Sequence, residues 1–336
     1  MPNEPTPEKK SANSRRIFVL GATGTIGRAT VRALVDAGHS VVCFVRQSYR
    51  ETIPEDLSFN GVEVRFGNPT DIVSLREAGF GSEHYDCVVS CIASRTGVPA
   101  DAWAVDFKTN DNALHIAQDL GIGMFVLLSA ICVQKPLLEF QKAKLAFEEK
   151  LVESGLTYSI VRPTAFFKSL SGQLDRVTQG KPFLVFGDGR LTACKPISDH
   201  DLAKFMVACI EDDQLHNRIL PIGGPGEAFT PHELGTYMFE LTGQKPRFRR
   251  VPVKFLDTVI FFLDLLAHVV PPLKAKAELA RIGRYYGTES MLLLDPNTGS
   301  YDADATPSTG KDTIVGYLKR LLDGDLQDQR AEHKVF

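Results

Sequence analysis

The sequence predicts an α/β protein built on a doubly wound parallel sheet, with a smaller C-terminal lobe. Two observations carry this prediction. An apolar run at residues 17–20 leads directly into a glycine-rich turn and a helical apolar pattern. Short apolar runs and helical segments then alternate, with brief connections, as far as residue 161. Such alternation is typical of parallel strands joined by crossover helices.

The composition is that of an ordinary globular protein. The chain has 336 residues, of which 43% are hydrophobic, and a net charge of −3. This length suits one large α/β domain, or one domain and a smaller lobe. The absence of a basic surplus argues against a nucleic-acid partner. The six cysteines form no C-x-x-C pair and fit no metal-site spacing, so we expect buried thiols and no metal.

The turn after the first strand predicts a dinucleotide site. Glycines at positions 21, 24 and 27 allow a tight turn, close approach of the backbone to a pyrophosphate, and close packing of helix on strand. The N-terminus of the helix adds N–H groups and a partial positive charge. The predicted fold is therefore of the Rossmann type. The expected cofactor contacts in this turn are Gly21, Thr23, Gly24, Thr25, Ile26 and Gly27.

The second strand, residues 40–45, ends in Arg46, and Arg50 follows. An Asp or Glu at this place selects NAD, whereas an Arg favours the 2′-phosphate of NADP. We therefore expect NADPH, although a solvated surface Arg is the alternative. A third strand, residues 62–66, precedes Asn68, which either lies near the adenine or belongs to a simple turn.

The fourth strand, residues 86–92, contains Cys91, and the loop from Ala93 is expected to cover the cofactor. A helix at about residues 102–120 leads to a fifth strand, residues 125–128, which ends in Ser129. The sixth strand, residues 157–161, ends before Pro163. In such a sheet, strand ends lie beside the cofactor, so Cys91, Ala93 and Pro163 are further expected contacts.

From about residue 172 the alternation breaks down, and a substrate lobe is expected. The predicted division is a disordered tail at 1–14, an NADPH-binding core at 15–170, a mixed region at 171–325 and a flexible tail at 326–336. The mixed region combines the lobe with elements that return to the core. Residues 255–270 are strongly apolar but short for a membrane span. They form a core helix, an oligomer or membrane-surface helix, or a wall for a hydrophobic substrate.

The helix after Ser129 carries Phe140 and Lys144, one helical turn apart. Short-chain dehydrogenases place a Tyr and a Lys at this spacing, and the Tyr donates a proton to a carbonyl oxygen. Phe140 has no proton to give. Carbonyl reduction is therefore disfavoured, which leaves reduction of an activated carbon–carbon double bond, or NADPH binding without turnover.

Several long segments resemble one family of atypical short-chain dehydrogenases, the NADPH-dependent divinyl chlorophyllide a 8-vinyl reductases. The matching segments include FVLLSAICVQKPLLEFQKAKLAFE, YSIVRPTAFFKSLSGQ, KPFLVFGDGRLTACKPIS and IGRYYGTESMLLLDP. The resemblance covers most of the chain after Ser14. It implies reduction of the 8-vinyl group of a divinyl chlorophyllide or protochlorophyllide to ethyl. The family itself has Phe at the position of Phe140.

The resemblance implies that Lys144 orients the nicotinamide ribose. Ser129, at the end of the preceding strand, is a further catalytic candidate by comparison with short-chain dehydrogenases. We expect the proton to come from Tyr285, Tyr286 or water, with packing as the alternative for each tyrosine. The expected substrate contacts are Phe140, Phe166, Phe167, Lys168 and Arg284. Core packing is the alternative for the two adjacent phenylalanines, and a solvated charge is the alternative for Lys168 and Arg284.

The expected partner is a divinyl chlorophyllide-type tetrapyrrole, with no nucleic acid. Residues 1–16 lack the apolar core of a secretory signal, so the expected location is cytoplasmic. Peripheral contact with photosynthetic membranes is a further expectation, because the pigments of this pathway are membrane-bound. Two other functions stay open: an isoflavone-reductase-like reductase of a small aromatic substrate, and a non-catalytic NADP-sensing regulator.

Overall fold

The computed structural model describes residues 14–52, 61–270 and 272–326. Apart from Ser14 and Leu326, both predicted tails lie outside these ranges. The division into a core and a substrate lobe near residue 170 stays a prediction.

A seven-stranded parallel sheet forms the centre of the molecule, in the order β3-β2-β1-β4-β5-β6-β8. The predicted doubly wound α/β fold is confirmed. The strands are β1 (Arg16–Leu20), β2 (Ser40–Arg46), β3 (Val62–Gly67), β4 (Cys87–Ser90), β5 (Met124–Leu128), β6 (Thr157–Pro163), β7 (Phe183–Phe186), β8 (Arg218–Ile222), β9 (Phe248–Val251), β10 (Leu293–Leu294) and β11 (Tyr301–Asp302). Strands β7 and β9 form a separate parallel pair, and β10 and β11 form an antiparallel pair.

Helices cover both faces of the large sheet. They are α1 (Thr25–Asp36), α2 (Ile72–Ser74), α3 (Pro99–Ala102), α4 (Asn110–Asp119), α5 (Glu139–Glu153), α6 (Phe167–Leu170), α7 (Leu174–Thr178), α8 (Asp199–Glu211), α9 (Pro231–Thr242), α10 (Val253–Ala267), α11 (Leu273–Thr288) and α12 (Ile314–Leu322). The single helix predicted at about residues 102–120 is wrong in detail. A π-helical turn, Trp103–Thr109, joins α3 to α4.

Successive residues of a strand point to opposite faces of the sheet, and β1 shows why both faces are covered. Its Ile17 and Val19 pack in a buried cluster that includes residues of α1 and α8. Its Phe18 and Leu20 pack in a second cluster that includes residues of α4 and α5. Helix α8 and strand β8 come from the C-terminal half of the chain, yet they complete the core of the sheet.

A third buried cluster lies in the C-terminal half, between the β7–β9 pair and helices α6, α7, α9 and α12. Helices α10 and α11 pack against each other as a hairpin. Among the fifteen residues of α10, only Ala267 is buried, so the core-helix interpretation of this segment is wrong. The carboxyl ends of the strands in the large sheet, the loops that follow them and the α10–α11 hairpin together surround the candidate site.

Candidate functional site

A cavity of about 2650 Å³ lies at the carboxyl ends of β1, β2, β4, β5 and β6. The strand order reverses at β1, between β2 and β4, and such a switch point is where ligands bind in open α/β sheets. Typical sites for one drug-sized ligand measure roughly 300–1000 Å³. The cavity therefore has room for a dinucleotide and a second large ligand.

The glycine turn forms one end of this cavity. Gly21 has φ +80°, and a Cβ there would lie 2.6 Å from the backbone carbon of Cys91. A Cβ at Gly27 would overlap the carbonyl oxygen of Gly21. At Gly24, by contrast, the nearest atom would be 3.6 Å away. The turn therefore requires glycine at position 21, and close packing requires it at position 27. Gly24 leaves space beside the start of α1, and this space fits a pyrophosphate.

The other predicted residues of the turn also line the cavity, and so do Cys91, Ala93 and Pro163. Burial raises the pKa of the Cys91 thiol to about 12, so this side chain stays protonated at neutral pH. Asn68 also lines the cavity, but its side-chain oxygen accepts hydrogen bonds from the backbone and hydroxyl of Thr70. Asn68 therefore shapes the turn after β3, in addition to facing the cavity.

Two arginines face the cavity near the carboxyl end of β2. The guanidinium of Arg46 lies 5.4 Å from the ring centroid of Tyr49. Arg95 lies 5.8 Å from the same ring and donates a hydrogen bond to the Tyr49 hydroxyl. Arg95 was not among the predicted contacts. Arg50 does not line the cavity, and its guanidinium lies over Phe66, 5.2 Å from the ring centroid.

Lys144 faces the cavity from α5, and its ammonium lies 3.0 Å from an Asp106 carboxylate oxygen. Asp106 is 1% exposed, so this ion pair is buried. The backbone N–H of Ser94 donates to the same carboxylate at 3.3 Å. Asp106 therefore connects the predicted lysine to the loop that follows β4. Sequence reasoning missed this aspartate, although a carboxylate on a largely apolar helix indicates a buried cation nearby.

Ser129 lies at the end of β5 and also faces the cavity. Its hydroxyl donates to Glu148 of α5. The same carboxylate accepts a hydrogen bond from Nε of Arg162 at 3.0 Å. Because its hydrogen is engaged in this buried group, Ser129 joins β5 to α5, and it is not free to donate to a ligand.

The two predicted tyrosines occupy different environments on α11. Tyr285 is buried, and its hydroxyl donates to the backbone oxygens of Cys132 and Lys135 at 3.0 and 3.3 Å. Tyr286 lines the cavity and is 39% exposed. Burial raises the pKa of the Tyr286 hydroxyl well above its usual value. A side chain that faces a cavity inside the protein is accessible to solvent and is still surrounded by protein. This position accounts for both the exposed surface and the raised pKa of Tyr286.

Phe140 packs in an apolar cluster with Cys132, Leu138 and Ile282, and it also lines the cavity. Helix α11 contributes Ile282, so this helix covers the position where a short-chain dehydrogenase has its phenol. Of the predicted tyrosines, Tyr286 is the one that reaches the cavity.

The predicted substrate contacts separate into two groups. Phe166, Phe167 and Lys168 line the cavity. Phe167 is nearly buried against the ring of Tyr317, and Lys168 donates to the hydroxyl of Thr25 at 2.9 Å. Arg284 does not line the cavity and forms an ion pair with Asp257 of α10. This position disfavours a substrate role for Arg284.

Comparisons with known proteins also indicate that the chain binds a nicotinamide dinucleotide. Residues 21–213 match a family model described as NAD(P)H-binding. The chain is 46% identical to the chloroplastic divinyl chlorophyllide a 8-vinyl-reductase of Cucumis sativus, covering 97% of this chain and 81% of that protein. It is 47% identical to the protein of the same name from Zea mays, covering 97% and 84%.

Among solved structures, the NADPH-dependent quinone oxidoreductase QOR2 of Escherichia coli, solved with NADPH, has a TM-score of 0.66. It is 16% identical, and the match covers 91% of this chain and 99% of that one. At this identity the likeness shows the fold alone.

Proposed function

We infer that this chain, which belongs to the family of divinyl chlorophyllide a 8-vinyl-reductases, is an oxidoreductase that reduces the 8-vinyl group of a divinyl chlorophyllide-type tetrapyrrole to ethyl. The observation that carries this function is the cavity. It joins a dinucleotide turn and Lys144 to an apolar wall, with Phe140 in place of a phenol. Its volume also disfavours a reductase of small aromatic substrates.

We propose NADPH as the reductant. Arg46 and Arg95 both face the cavity near the carboxyl end of β2, where a 2′-phosphate is bound in NADP-dependent members of this fold class. Lys168 donates to Thr25 in the glycine turn. Its contact with that turn favours a role toward the dinucleotide phosphates over one toward a propionate of the pigment.

Reduction of a vinyl group adds a hydride and a proton across one double bond, and bound NADPH would supply the hydride. Lys144, fixed by Asp106, would hold the nicotinamide ribose. Phe140 and its apolar neighbours would exclude water from the reacting carbons. Hydride addition at the terminal vinyl carbon leaves negative charge on the inner carbon and the conjugated macrocycle.

We propose that Tyr286 delivers the proton to the inner carbon. An ordinary tyrosine hydroxyl carries its proton at neutral pH, and burial raises the pKa of Tyr286 further. Tyr286 also lines the cavity, as Lys144 and Phe140 do. Tyr285 is an unsuitable donor because it does not line the cavity and its hydroxyl donates to the backbone oxygens of Cys132 and Lys135.

Incubation with NADPH and divinyl chlorophyllide a tests this function. We expect the Soret band to move to shorter wavelength as the vinyl group loses its conjugation with the macrocycle. The Lys144→Ala variant should show a much slower shift with an unchanged circular dichroism spectrum. A wild-type protein that binds NADPH but leaves the band in place would be a regulator and not a reductase. Divinyl protochlorophyllide a in a parallel reaction establishes which pigment is preferred.

We also propose that the protein works in the cytoplasm, in peripheral contact with photosynthetic membranes. Within residues 14–52, 61–270 and 272–326, no helix is both long enough and apolar enough to span a bilayer. The hydrophobic pigment expected as substrate supports a site of action at a membrane surface.

A further inference from the structure

Helix α10 exposes a continuous apolar face. Phe261 is 63% exposed, Phe262 54% and Leu265 57%, and Val269 just beyond the helix is 82% exposed. Positions three and four apart share one side of a helix, so these side chains form one stripe. Thr258 lies in the same stripe, and its hydroxyl donates to the backbone oxygen of Lys254. That hydroxyl is therefore satisfied within the helix.

The acidic residues of α10 lie on the side that packs against α11. Asp264 accepts a hydrogen bond from Arg281 at 2.6 Å, and Asp257 forms an ion pair with Arg284. These pairs attach α10 to its neighbouring helix and neutralise its carboxylates. The apolar stripe is thus directed away from the protein and carries no uncompensated negative charge.

Cations flank this stripe in the sequence. Residues 245–284 contain nine Lys and Arg against three Asp and Glu, although the whole chain has a net charge of −3. Residues 245–254, directly before and at the start of α10, contain five cations and no acid. Arg249, Arg250 and Lys254 are exposed, as are Lys274 and Lys276 at the start of α11. Within the described part of the chain, none of these five has an acidic partner.

We propose that α10 and the basic stretch before it dock the protein on an anionic lipid bilayer. The apolar stripe would enter the boundary between headgroups and acyl chains, and the cations would contact lipid phosphates. With 15 residues, α10 is about 22 Å long. That is short of the roughly 30 Å of a bilayer core, so the helix lies in the plane of the surface. A second copy of the chain is the poorer occupant, because it would bring two cationic segments together.

The cavity is continuous with this surface. Phe255 of α10 and Leu279 of α11 are 58% and 40% exposed, and both also line the cavity. A hydrophobic ligand could therefore pass from the bilayer into the cavity along apolar side chains. The docking deepens the membrane contact proposed above, and the route rests in addition on the proposed reductase function.

Flotation of the full-length protein with lipid vesicles tests the docking. We expect the wild type to float with phosphatidylcholine vesicles that contain phosphatidylglycerol, and to stay in the bottom fraction with phosphatidylcholine alone. The double variant Phe261→Ser/Leu265→Ser should bind the anionic vesicles at least roughly tenfold more weakly, since two large apolar side chains are lost. Arg249→Gln/Arg250→Gln should weaken binding similarly, and the effect should shrink at high salt.

Val73→Ser is the matched control, because Val73 on α2 is 55% exposed but lies outside the hairpin. It should bind vesicles as the wild type does. The proposal is overturned if the wild type does not float with anionic vesicles, or if Phe261→Ser/Leu265→Ser floats unchanged. It is also overturned if the stripe holds two copies of the chain together instead. In that case the wild type would be a dimer that does not bind vesicles, and Phe261→Ser/Leu265→Ser would be a monomer.

These measurements use neither pigment nor NADPH, so their result is independent of reductase activity. Turnover then tests the route. Phe261→Ser/Leu265→Ser should reduce detergent-dispersed pigment at the wild-type rate, because neither residue lines the cavity. It should reduce pigment supplied in anionic vesicles more slowly than the wild type. Equal rates with vesicle-borne pigment would overturn the route.

Discussion

Asp106 gives Lys144 its position, because the two form a buried ion pair 3.0 Å long. We expect Asp106→Asn to lower kcat/KM by roughly one to two orders of magnitude, since a buried ammonium that loses its counter-ion no longer stays in place. Steady-state kinetics measures this effect, with the rate normalised to the concentration of folded protein. A loss of folded protein alone would leave this normalised rate unchanged.

Asp111→Asn is the control for this variant. Asp111 is also a buried carboxylate, but it pairs with Lys108 and Lys150 outside the cavity lining. Its loss should lower stability and leave the activity per folded molecule unchanged. Equal losses of activity in both variants would show that Asp106 is only structural.

The two arginines near the carboxyl end of β2 are expected to select the cofactor. Arg46→Ala and Arg95→Ala should each weaken NADPH binding by roughly ten- to a hundredfold, because a charged hydrogen bond to phosphate contributes about 1.5–3 kcal/mol. NADH binding should change little. Fluorescence titration of both cofactors makes the comparison. Arg50→Ala should bind both cofactors as the wild type does, since Arg50 lies over Phe66 outside the cavity lining.

Tyr286→Phe removes the proposed proton donor while keeping the ring. We expect kcat to fall by roughly 10²-fold or more, the usual contribution of a positioned acid, with NADPH affinity unchanged. Tyr285→Phe should instead lower stability by about 1 kcal/mol through the loss of its hydrogen bonds to backbone. Stopped-flow kinetics and thermal denaturation separate the two effects. Wild-type turnover in Tyr286→Phe would assign the proton to water.

At the level of single residues, the sequence predicted the glycine turn, Arg46, Phe140 and Lys144 in the cavity. These positions follow from local motifs. Asp106 and Arg95 could not be predicted in the same way, because their partners are distant in sequence. Asp106 meets Lys144 across 38 positions, and Arg95 meets Tyr49 across 46. Only the packing of the elements brings such pairs together.

At the level of elements, His39 fixes the corner between α1 and β2. Its Nδ1 accepts a hydrogen bond from the backbone N–H of Arg15, and its Nε2 lies 3.4 Å from Glu211 of α8. Burial is the main cause that lowers the pKa of His39. The neutral ring is therefore the form that fits the folded protein.

A folded-state pKa below the unfolded value of about 6.5 makes stability fall as pH drops through that range. We expect the midpoint of thermal unfolding to decrease between about pH 7 and pH 5. In His39→Gln, which retains a hydrogen-bond acceptor, this decrease should be smaller. Thermal denaturation at matched ionic strength measures the difference. Parallel curves for the two proteins would show that His39 does not contribute to the acid sensitivity.

The π-helical turn at Trp103–Thr109 explains why its helix was predicted imperfectly. A π-turn adds a residue to the regular helical repeat, so the side of the helix on which a residue lies no longer follows from counting. Asp106 lies within this turn. Helix α10 shows a second limit of prediction from sequence. Its apolar pattern was evident, but the pattern did not reveal that one face of the helix is left uncovered.

At the level of the whole molecule, the sequence predicted the first six strands of the parallel sheet because strands and helices alternate regularly there. The seventh strand, β8, was expected only in general terms, as part of a region returning to the core. It pairs with β6 in parallel register, Ser159 opposite Arg218. The residues between β6 and β8 interrupt the alternation, and no local pattern specifies which sheet edge a later strand will join.

That late strand has a consequence for how the protein is made. When β6 leaves the ribosome, its outer edge is unpaired, and the face of α1 that α8 will cover is still exposed. At about 5–20 residues per second, the chain through Ile222 follows roughly 3–12 s later. During that interval the nascent sheet presents an open edge and apolar surface in a crowded cell. A chaperone that covers this face until α8 and β8 emerge would therefore improve the yield of folded protein.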